Sequence, residues 1–210
     1  MVGLTAVQGT RERLLQAAID VFVEVGYREA TFREICRRAG ANNAAINYHF
    51  QDKERLYRAV IERAITEMQG NLPPAQFEEG TPPEEQLRTF IRAILTGCLS
   101  NRSTTLLVKL MSREMHEPTS GLDLVVERLI KPFHQSLGAV VAKLIGASAT
   151  PEQVRDCVNS VIGQCNYYFH SRPVVVRLGY FTEYDDAAIE HLVNHIMRFS
   201  LAGVRAYGER

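Results

Sequence analysis

Residues 42–53, read N-N-A-A-I-N-Y-H-F-Q-D-K, carry amides, a phenol and an imidazole where a merely solvated helix would carry lysine and glutamate. Asn43 and Asn47 are four positions apart and would share one face of a helix. An asparagine amide donates and accepts at once, which suits the edge of an adenine in the major groove. Ala44 and Ala45 are small enough to allow close approach or contact with a thymine methyl. The chemistry indicated is recognition of base edges in double-stranded DNA.

Two short helical stretches around Gly40 would position these side chains. Thr31 can cap the first, with Glu34 three residues on to complete a capping box. Gly40 supplies the left-handed residue that ends this helix, and Asn42 can cap the second. The expected inward pairs are Ile35 with Ala39 and Ile46 with Phe50, and the expected outward arginines are Arg33, Arg37 and Arg38. The pattern predicts a helix-turn-helix with an exposed second helix.

Composition excludes few classes of protein. The 210 residues include 24 basic and 24 acidic ones, so no global positive charge attracts nucleic acid. Seven basic and four acidic residues between Arg28 and Arg58 leave a surplus of three positive charges there. The four cysteines lack C-x-x-C spacing, and free thiols in a reducing compartment are expected. Without a basic-apolar leader or an apolar run of membrane-spanning length, we expect a cytoplasmic protein that does not enter a membrane.

Helical periodicity continues along the whole chain, so the fold class expected is all-α. A first helix is predicted from Thr10 to Val25, and a connecting helix from Lys53 to Gln69. A change to proline, glycine and acidic residues then predicts a linker. Pro132 is expected to kink or split the helix between Leu122 and Ile145. The predicted parts are a DNA-binding head (1–53), a connecting helix (54–70), a linker (71–83) and a larger helical domain for ligand binding and dimerisation (84–210).

Two stretches resemble known regulators. The segments A-A-I-D-V-F-V-E-V-G-Y, A-G-A-N-N-A-A-I-N-Y-H-F and D-K-E-R-L-Y, spread between Leu14 and Tyr57, look like the DNA-binding domain of TetR-family transcriptional regulators. The later R-E-M-H-E-P-T-S-G-L-D-L-V-V-E-R-L-I-K-P-F-H-Q, with S-R-P-V-V-V-R-L-G-Y, is similar to the C-terminal domain of the CecR-type branch. Regulators of that branch are implicated in control of multidrug efflux and export genes. The resemblance implies a ligand-responsive DNA-binding regulator, most often a repressor, that is not an enzyme.

The family pattern assigns roles to residues of the second helix. By resemblance Asn43, Ala45 and Tyr48 occupy base-contacting positions, and Asn47, His49 and Lys53 occupy phosphate-contacting ones. Arg33 can reach either bases or phosphates. The alternative for Tyr48 and His49 is packing between helices. The full set expected at the DNA is Arg33, Asn42, Asn43, Ala44, Ala45, Asn47, Tyr48, His49 and Lys53.

The resemblance also implies a homodimer and an effector. In the family the last two long helices of each chain form a four-helix dimer bundle, which here matches residues 151–170 and 185–204, with Gly163 allowing close approach. The alternative is that these helices close a monomer core. A small-molecule effector of unknown identity would bind inside the helical body, without a cofactor. Polar residues set in apolar stretches are its candidate contacts: Lys109, Arg113, His116, His134, Asn166, Tyr167 and His170.

One rival interpretation remains from the residues. His191 and His195 are four apart on one helix, a spacing that can hold a metal, although no third ligand is placed nearby. The chain would then be a helical small-molecule- or metal-binding enzyme or sensor whose head does not bind DNA. The preferred interpretation has no metal and no catalytic residues, because the sequence contains no Ser-His-Asp order, P-loop or paired carboxylates in an apolar setting.

Overall fold

The computed structural model describes residues 2–69, 77–99, 106–181 and 183–208. Across these ranges the chain is helical and forms no strand, so the predicted all-α class is confirmed. The elements are α1 Val2–Glu29, α2 Phe32–Ala39, α3 Asn43–Phe50, α4 Lys53–Gln69, α5 Pro83–Leu99, α6 Leu106–Glu114, α7 Ser120–Val125, a π-helical turn Val126–Ile130, α8 Lys131–Ile145, α9 Pro151–His170, α10 Arg172–Arg177 and α11 Asp186–Gly208.

The helices form two compact units. The first contains α1–α4, α6 and α7, and the second contains α5 and α8–α11. Residues 106–129 therefore pack with the N-terminal helices, against α1 and α4. The division predicted from composition put these residues in the domain 84–210, because an apolar stripe reveals that a helix is buried but not against which partner. Residues 71–76 of the predicted linker 71–83 lie outside the described residues, as does the start of a helix that the apolar periodicity predicts from Ser103.

The first helix differs from the prediction at its start and agrees at its end. It begins at Val2, and Thr10 lies inside it, where its hydroxyl accepts a hydrogen bond from Arg13 Nη2 at 3.2 Å. The predicted cap at Thr10 is wrong, since the helix continues through Gly9 to Val2 and Thr10 lies within it. The predicted end at Gly26 is confirmed by a break within α1, where Gly26 has φ 82° and ψ 176°. Only glycine adopts that conformation without strain.

The predicted helix-turn-helix is confirmed. Thr31 Oγ1 accepts from Glu34 N at 3.3 Å, and Asn42 Oδ1 accepts from Ala45 N at 2.9 Å. Gly40 has the left-handed φ of 60° between the two helices. The buried and exposed residues are those expected: Ile35, Ala39, Ile46 and Phe50 are buried, and Arg33, Arg37, Arg38, Asn43 and Asn47 are exposed.

The connecting helix α4 begins and ends where the sequence predicted. Asp52 caps it, since its carboxylate accepts from Arg55 N at 2.7 Å. Its apolar stripe is buried from Leu56 to Ile65 and packs against α1, α6 and α7. This helix follows α3 after only two residues, so its orientation and that of α3 are tied closely together.

The second unit has a core drawn from α5, α8, α9, α10 and α11. Pro132 acts as predicted: it lies in the first turn of α8, directly after the π-helical turn that ends the preceding helix. Arg172–Arg177 form the short helix α10, with Pro173 in its first turn. Asp185 starts α11 by accepting from Ala188 N at 2.8 Å.

The four cysteines are free, as predicted. Cys36, Cys157 and Cys165 are buried, whereas Cys98 is half-buried. Burial raises the pKa of the Cys165 thiol to about 12 and that of Cys98 to about 11, which keeps both protonated near neutral pH. Over the described ranges, no helix is both long enough and apolar enough to cross a membrane.

Candidate nucleic-acid interface

Helix α3 presents one polar face to solvent. Asn43, Ala44 and Asn47 are exposed, and Tyr48 has 77 % of its surface exposed, the largest fraction among the exposed large hydrophobic residues. An aromatic side chain this exposed is not explained by packing between helices. Its neighbour His49 is half-buried, with its ring 5.1 Å from that of Tyr48. The α3 face therefore offers amides, a phenol and an imidazole together.

Two residues expected at the DNA, Asn42 and Ala45, are also part of the structure of the first turn of α3. The Asn42 side chain is the cap of α3, so its oxygen is already engaged by Ala45 N. Ala45 is half-buried, between the exposed Ala44 and the buried Ile46. Both residues lie at the first turn of α3, where a helix N-terminus favours a phosphate through its free N–H groups.

A strained residue joins α3 to α4. Gln51 has φ 66° and ψ −57°, and Asp52 N donates to Phe50 O at 2.8 Å, which closes a γ-turn. Such a backbone is costly for a residue with a side chain, and it persists only where the surroundings fix it. This turn sets the angle between α3 and α4, and residue patterns gave no indication of it.

Lys53 is bound on its protein side. Its Nζ donates to Arg28 O at 3.1 Å and to Ala30 O at 3.2 Å, and lies 4.7 Å from the centre of the Tyr27 ring. The ammonium has three donors, so one remains beyond the two carbonyls. Lys53 thus holds the end of α1 to the start of α4 in addition to the phosphate role predicted for it.

Arginines connect α1 to the helix-turn-helix. Arg13 Nε donates to Ala39 O at 3.3 Å, and the Arg11 guanidinium lies 5.1 Å from the centre of the Phe50 ring. These contacts brace α2 at its last residue and α3 at its last residue. They join residues 26 or more positions apart, and nothing in the local spacing of the sequence signals them.

An ion-pair cluster fixes α2 on α1. Arg38 donates to both carboxylate oxygens of Glu24 and also to Glu34, which in turn accepts from Arg37. These hydrogen bonds hold the pKa of Glu34 down at about 2 and lower that of Glu24. The Glu34 carboxylate, expected to complete a capping box, is therefore turned towards two arginines. Arg33 is exposed at the start of α2.

The seven predicted effector contacts are distributed over both units. Lys109, Arg113 and His116 belong to the first unit, and His134, Asn166, Tyr167 and His170 belong to the second. Arg113 and His116 line one cavity of about 420 Å³, together with Gly26, Tyr27 and Tyr57, whereas Lys109 lines a different groove beside α1. In the second unit His134 and Asn166 are half-buried, and Tyr167 and His170 are exposed.

The two helices expected at a dimer interface share an exposed groove of about 230 Å³. Ser160 and Gln164 of α9 line it, opposite Phe199 and Gly203 of α11, and Phe199 is 65 % exposed. Gly163 is exposed, and a Cβ placed on it would meet nothing within 4 Å. This face combines small residues with an unburied phenyl ring.

His191 and His195 are both exposed on α11, and the His191 ring lies 6.0 Å from that of Phe181. In the part of the chain that the structure describes, no group of three or more histidine, cysteine or carboxylate side chains could hold a metal ion.

The fold and the exposed α3 face define a helix-turn-helix DNA-binding protein. The family model for bacterial regulatory proteins of the TetR family matches residues 14–60, and that for the C-terminal domain of the HTH-type transcriptional dual regulator CecR matches residues 83–204. The chain belongs to the TetR family of regulators and carries a CecR-type C-terminal domain. It is a DNA-binding transcriptional regulator, and members of this family are not enzymes.

A curated relative and several solved structures align with most of the chain. The transcriptional dual regulator CecR of Shigella flexneri is 31 % identical over 195 residues, which is 88 % of this chain and 86 % of the relative. Among solved structures, the flavonoid-responsive regulator FrrA aligns with a TM-score of 0.66 at 21 % identity, over 92 % of this chain and 96 % of that one. AibR, solved with isovaleryl coenzyme A and operator DNA, aligns with a TM-score of 0.64 at 16 % identity, over 90 % and 97 %.

Proposed function

We propose that this protein is a ligand-responsive repressor of efflux, export or stress-related genes. It binds a palindromic operator as a homodimer in the cytoplasm and leaves the DNA when a small molecule binds. The observation that carries the proposal is the exposed polar face of α3, whose last residue, Phe50, is contacted by Arg11 of α1. The CecR-type C-terminal domain supports the choice of target genes.

At the DNA, the residues of α3 would divide their work. Asn43, Ala45 and Tyr48 face the bases, while Asn47, His49 and Lys53 face phosphates, and Arg33 reaches whichever is nearer. The exposure of Asn43 and Tyr48 supports this division. Ala44 is small and exposed, which permits close approach to the groove. Asn42 contributes by fixing the first turn of α3, where backbone N–H groups can meet a phosphate.

Pairing would occur through residues 151–170 and 185–204. A helix-turn-helix that reads palindromic half-sites needs two copies, with recognition helices about 34 Å apart on the DNA. Apolar exposure at Phe199 and the open surface over Gly163 support a second copy at this face. The interface would join two recognition helices into one operator-binding assembly.

Release from DNA needs only a modest preference of the effector for the non-binding state. A differential affinity of about 3 kcal/mol would weaken operator binding on the order of a hundredfold. Within the proposed effector set, Arg113 and His116 share a cavity with Tyr57 of the connecting helix. The second group, His134, Asn166, Tyr167 and His170, would contact an effector held by the second unit.

A genomic footprint tests the proposal most directly. We expect enrichment of a palindromic sequence upstream of transporter or stress genes, and derepression of those genes when this regulator is deleted. If deletion instead lowers the expression of those genes, the protein activates them rather than repressing them. The similar protein CecR is named a dual regulator, which is why this outcome is included. Failure of the folded protein to bind any duplex at low salt would overturn the proposal and favour the sensor with a head that does not bind DNA.

A further inference from the structure

A buried carboxylate joins the segment 106–129 to the connecting helix. Glu114, the last residue of α6, is 1 % exposed. Its Oε1 accepts from Tyr57 Oη at 2.6 Å and from Thr119 Oγ1 at 2.7 Å, and its Oε2 accepts from Thr119 N at 2.8 Å. A carboxylate at such a position is stable only with its oxygens bonded, so losing one partner is costly.

The neighbouring residue grips α1. Arg113 Nε donates to Val23 O at 3.0 Å, and Arg113 Nη2 donates to Glu24 O. These carbonyls lie in the last turn before the break at Gly26, where a helix leaves its carbonyls without intrahelical donors. The same guanidinium lies against Gly26, since a Cβ there would be 3.2 Å from Arg113 Nη1. Adjacent residues of α6 thus hold α1 and α4.

Aromatic contacts continue from Tyr57 to the base of α3. The Tyr57 ring lies 4.8 Å from that of Phe22 and 5.0 Å from that of Tyr27. Tyr27 in turn carries the ammonium of Lys53, which begins α4 three residues after Phe50, the last residue of α3. Contacts therefore run from Glu114 through Tyr57 and Tyr27 to Lys53, and the two-residue turn at 51–52 joins Lys53 to the end of α3.

Helix α7 adds a steric contact beside this hydrogen bond. A Cβ at Gly121 would lie 2.7 Å from Tyr57 Cε1 and 3.2 Å from Ile61 Cγ1. Glycine is therefore needed for α7 to lie against α4 at this distance. The end of α6 and the start of α7 therefore both contact Tyr57.

We propose that Arg113 and Glu114 form a clamp that positions α1 and α4, and through them α3, for DNA binding. In sequence, the segment 106–129 belongs to the C-terminal domain, whose family match spans residues 83–204. In the structure it packs against α1 and α4. Its two ends continue covalently into the second unit. The clamp is thus a defined place at which a change in the C-terminal domain alters operator affinity. The proposal rests on DNA binding through α3 and does not depend on which effector binds.

The test uses the full-length protein and a duplex selected from randomised DNA on the wild-type protein. Tyr57→Phe removes the hydroxyl that Glu114 accepts from and keeps the ring contacts, and Glu114→Met removes the acceptor oxygens and keeps a side chain of similar length. Each is expected to weaken operator binding on the order of tenfold, with the double variant no weaker than the worse single one, since both remove the same contact. Tyr27→Phe removes a hydroxyl from the same aromatic cluster, and its operator affinity is expected to match wild type.

Hydrogen–deuterium exchange separates positioning from local stability. If the clamp positions the head, amides of α2 and α3 exchange faster in Tyr57→Phe, while those of α9 and α11 keep wild-type rates. Arg113→Gln is expected to do the same, and Lys143→Gln, which removes an exposed cation of α8 outside the proposed binding residues, is expected to leave exchange in α2 and α3 unchanged. Wild-type exchange in α2 and α3 of both clamp variants would overturn the proposal, as would additive losses of affinity in the double variant. If the wild-type protein binds no DNA, the proposed repressor function is wrong. The exchange rates of α2 and α3 still show whether Arg113 and Glu114 position these helices.

Discussion

Arg38 holds Glu24 through both carboxylate oxygens, with Nη1 and Nη2 at 2.8 and 2.7 Å from Oε1 and Oε2. The bidentate pair links α2 to α1 across 14 residues of sequence. The same guanidinium reaches Glu34 through Nε at 2.7 Å, so one arginine orders two carboxylates. Glu24 is exposed and Glu34 is half-buried, so both ion pairs are open to protonation and to screening by salt.

Acidification should weaken this link. The pKa of Glu34 is held at about 2 and that of Glu24 is also lowered, so their contribution to stability is present above about pH 4.5. It is lost as the pH falls through the pKa values of the folded state. We expect the melting temperature of wild type to fall more steeply between neutral pH and acid than that of Arg38→Gln. High salt should reduce the difference in melting temperature between the two proteins. If their melting temperatures fall in parallel as the pH is lowered, the ion pairs of Arg38 are not the source of the acid sensitivity.

Asn43→Ala should reduce specificity rather than general affinity for DNA. The amide is exposed on α3 and makes the fork suited to adenine, so its loss should cost about 1–3 kcal/mol at the operator. Binding to unrelated duplexes and the dependence on salt should stay as in wild type. Mobility shifts on the selected operator and on a scrambled duplex measure both effects. Equal weakening on the two duplexes would move Asn43 to the phosphate-contacting group.

Lys53→Gln should lower both stability and the salt dependence of binding. The ammonium bonds to Arg28 O and Ala30 O, so the variant should melt at a lower temperature. If the third donor contacts a phosphate, the slope of log affinity against log salt should fall by about one ion. Titrations at several salt concentrations, carried out well below the melting temperature, measure the slope. A lower melting temperature with an unchanged slope would leave Lys53 a structural role only.

Gly163→Leu should break the proposed homodimer without unfolding the monomer. A side chain at this position meets nothing within 4 Å in a single chain, but it would stand between two closely packed helices of a dimer. We expect a shift towards monomer in sedimentation velocity, together with loss of operator binding. Ala139→Leu, an equivalent enlargement at an exposed position of α8, serves as the control. A Gly163→Leu protein that remains dimeric would exclude this face from the interface.

Local signals predicted the head well because its determinants are local. The caps at Thr31, Asn42 and Asp52 each act on an N–H three residues ahead, and Gly40 ends α2 through its own backbone angle. Such contacts can be recognised within a few positions of the chain. The start of α1 was not predicted, because Thr10 is a plausible cap residue whereas the helix continues through it to Val2.

The sequence by itself determined the all-α fold, the helix-turn-helix and the residues exposed on α3, since these follow from periodicity, caps and glycine placement. Only the tertiary structure decided that residues 106–129 pack with the head, that Lys53 is bonded to the end of α1, and that Glu114 meets Tyr57 from 57 positions away. An amphipathic stripe states that a face is buried and leaves its partner open. Which carboxylate ends beside which hydroxyl depends on how helices distant in sequence pack against one another, and that is settled only when the core closes.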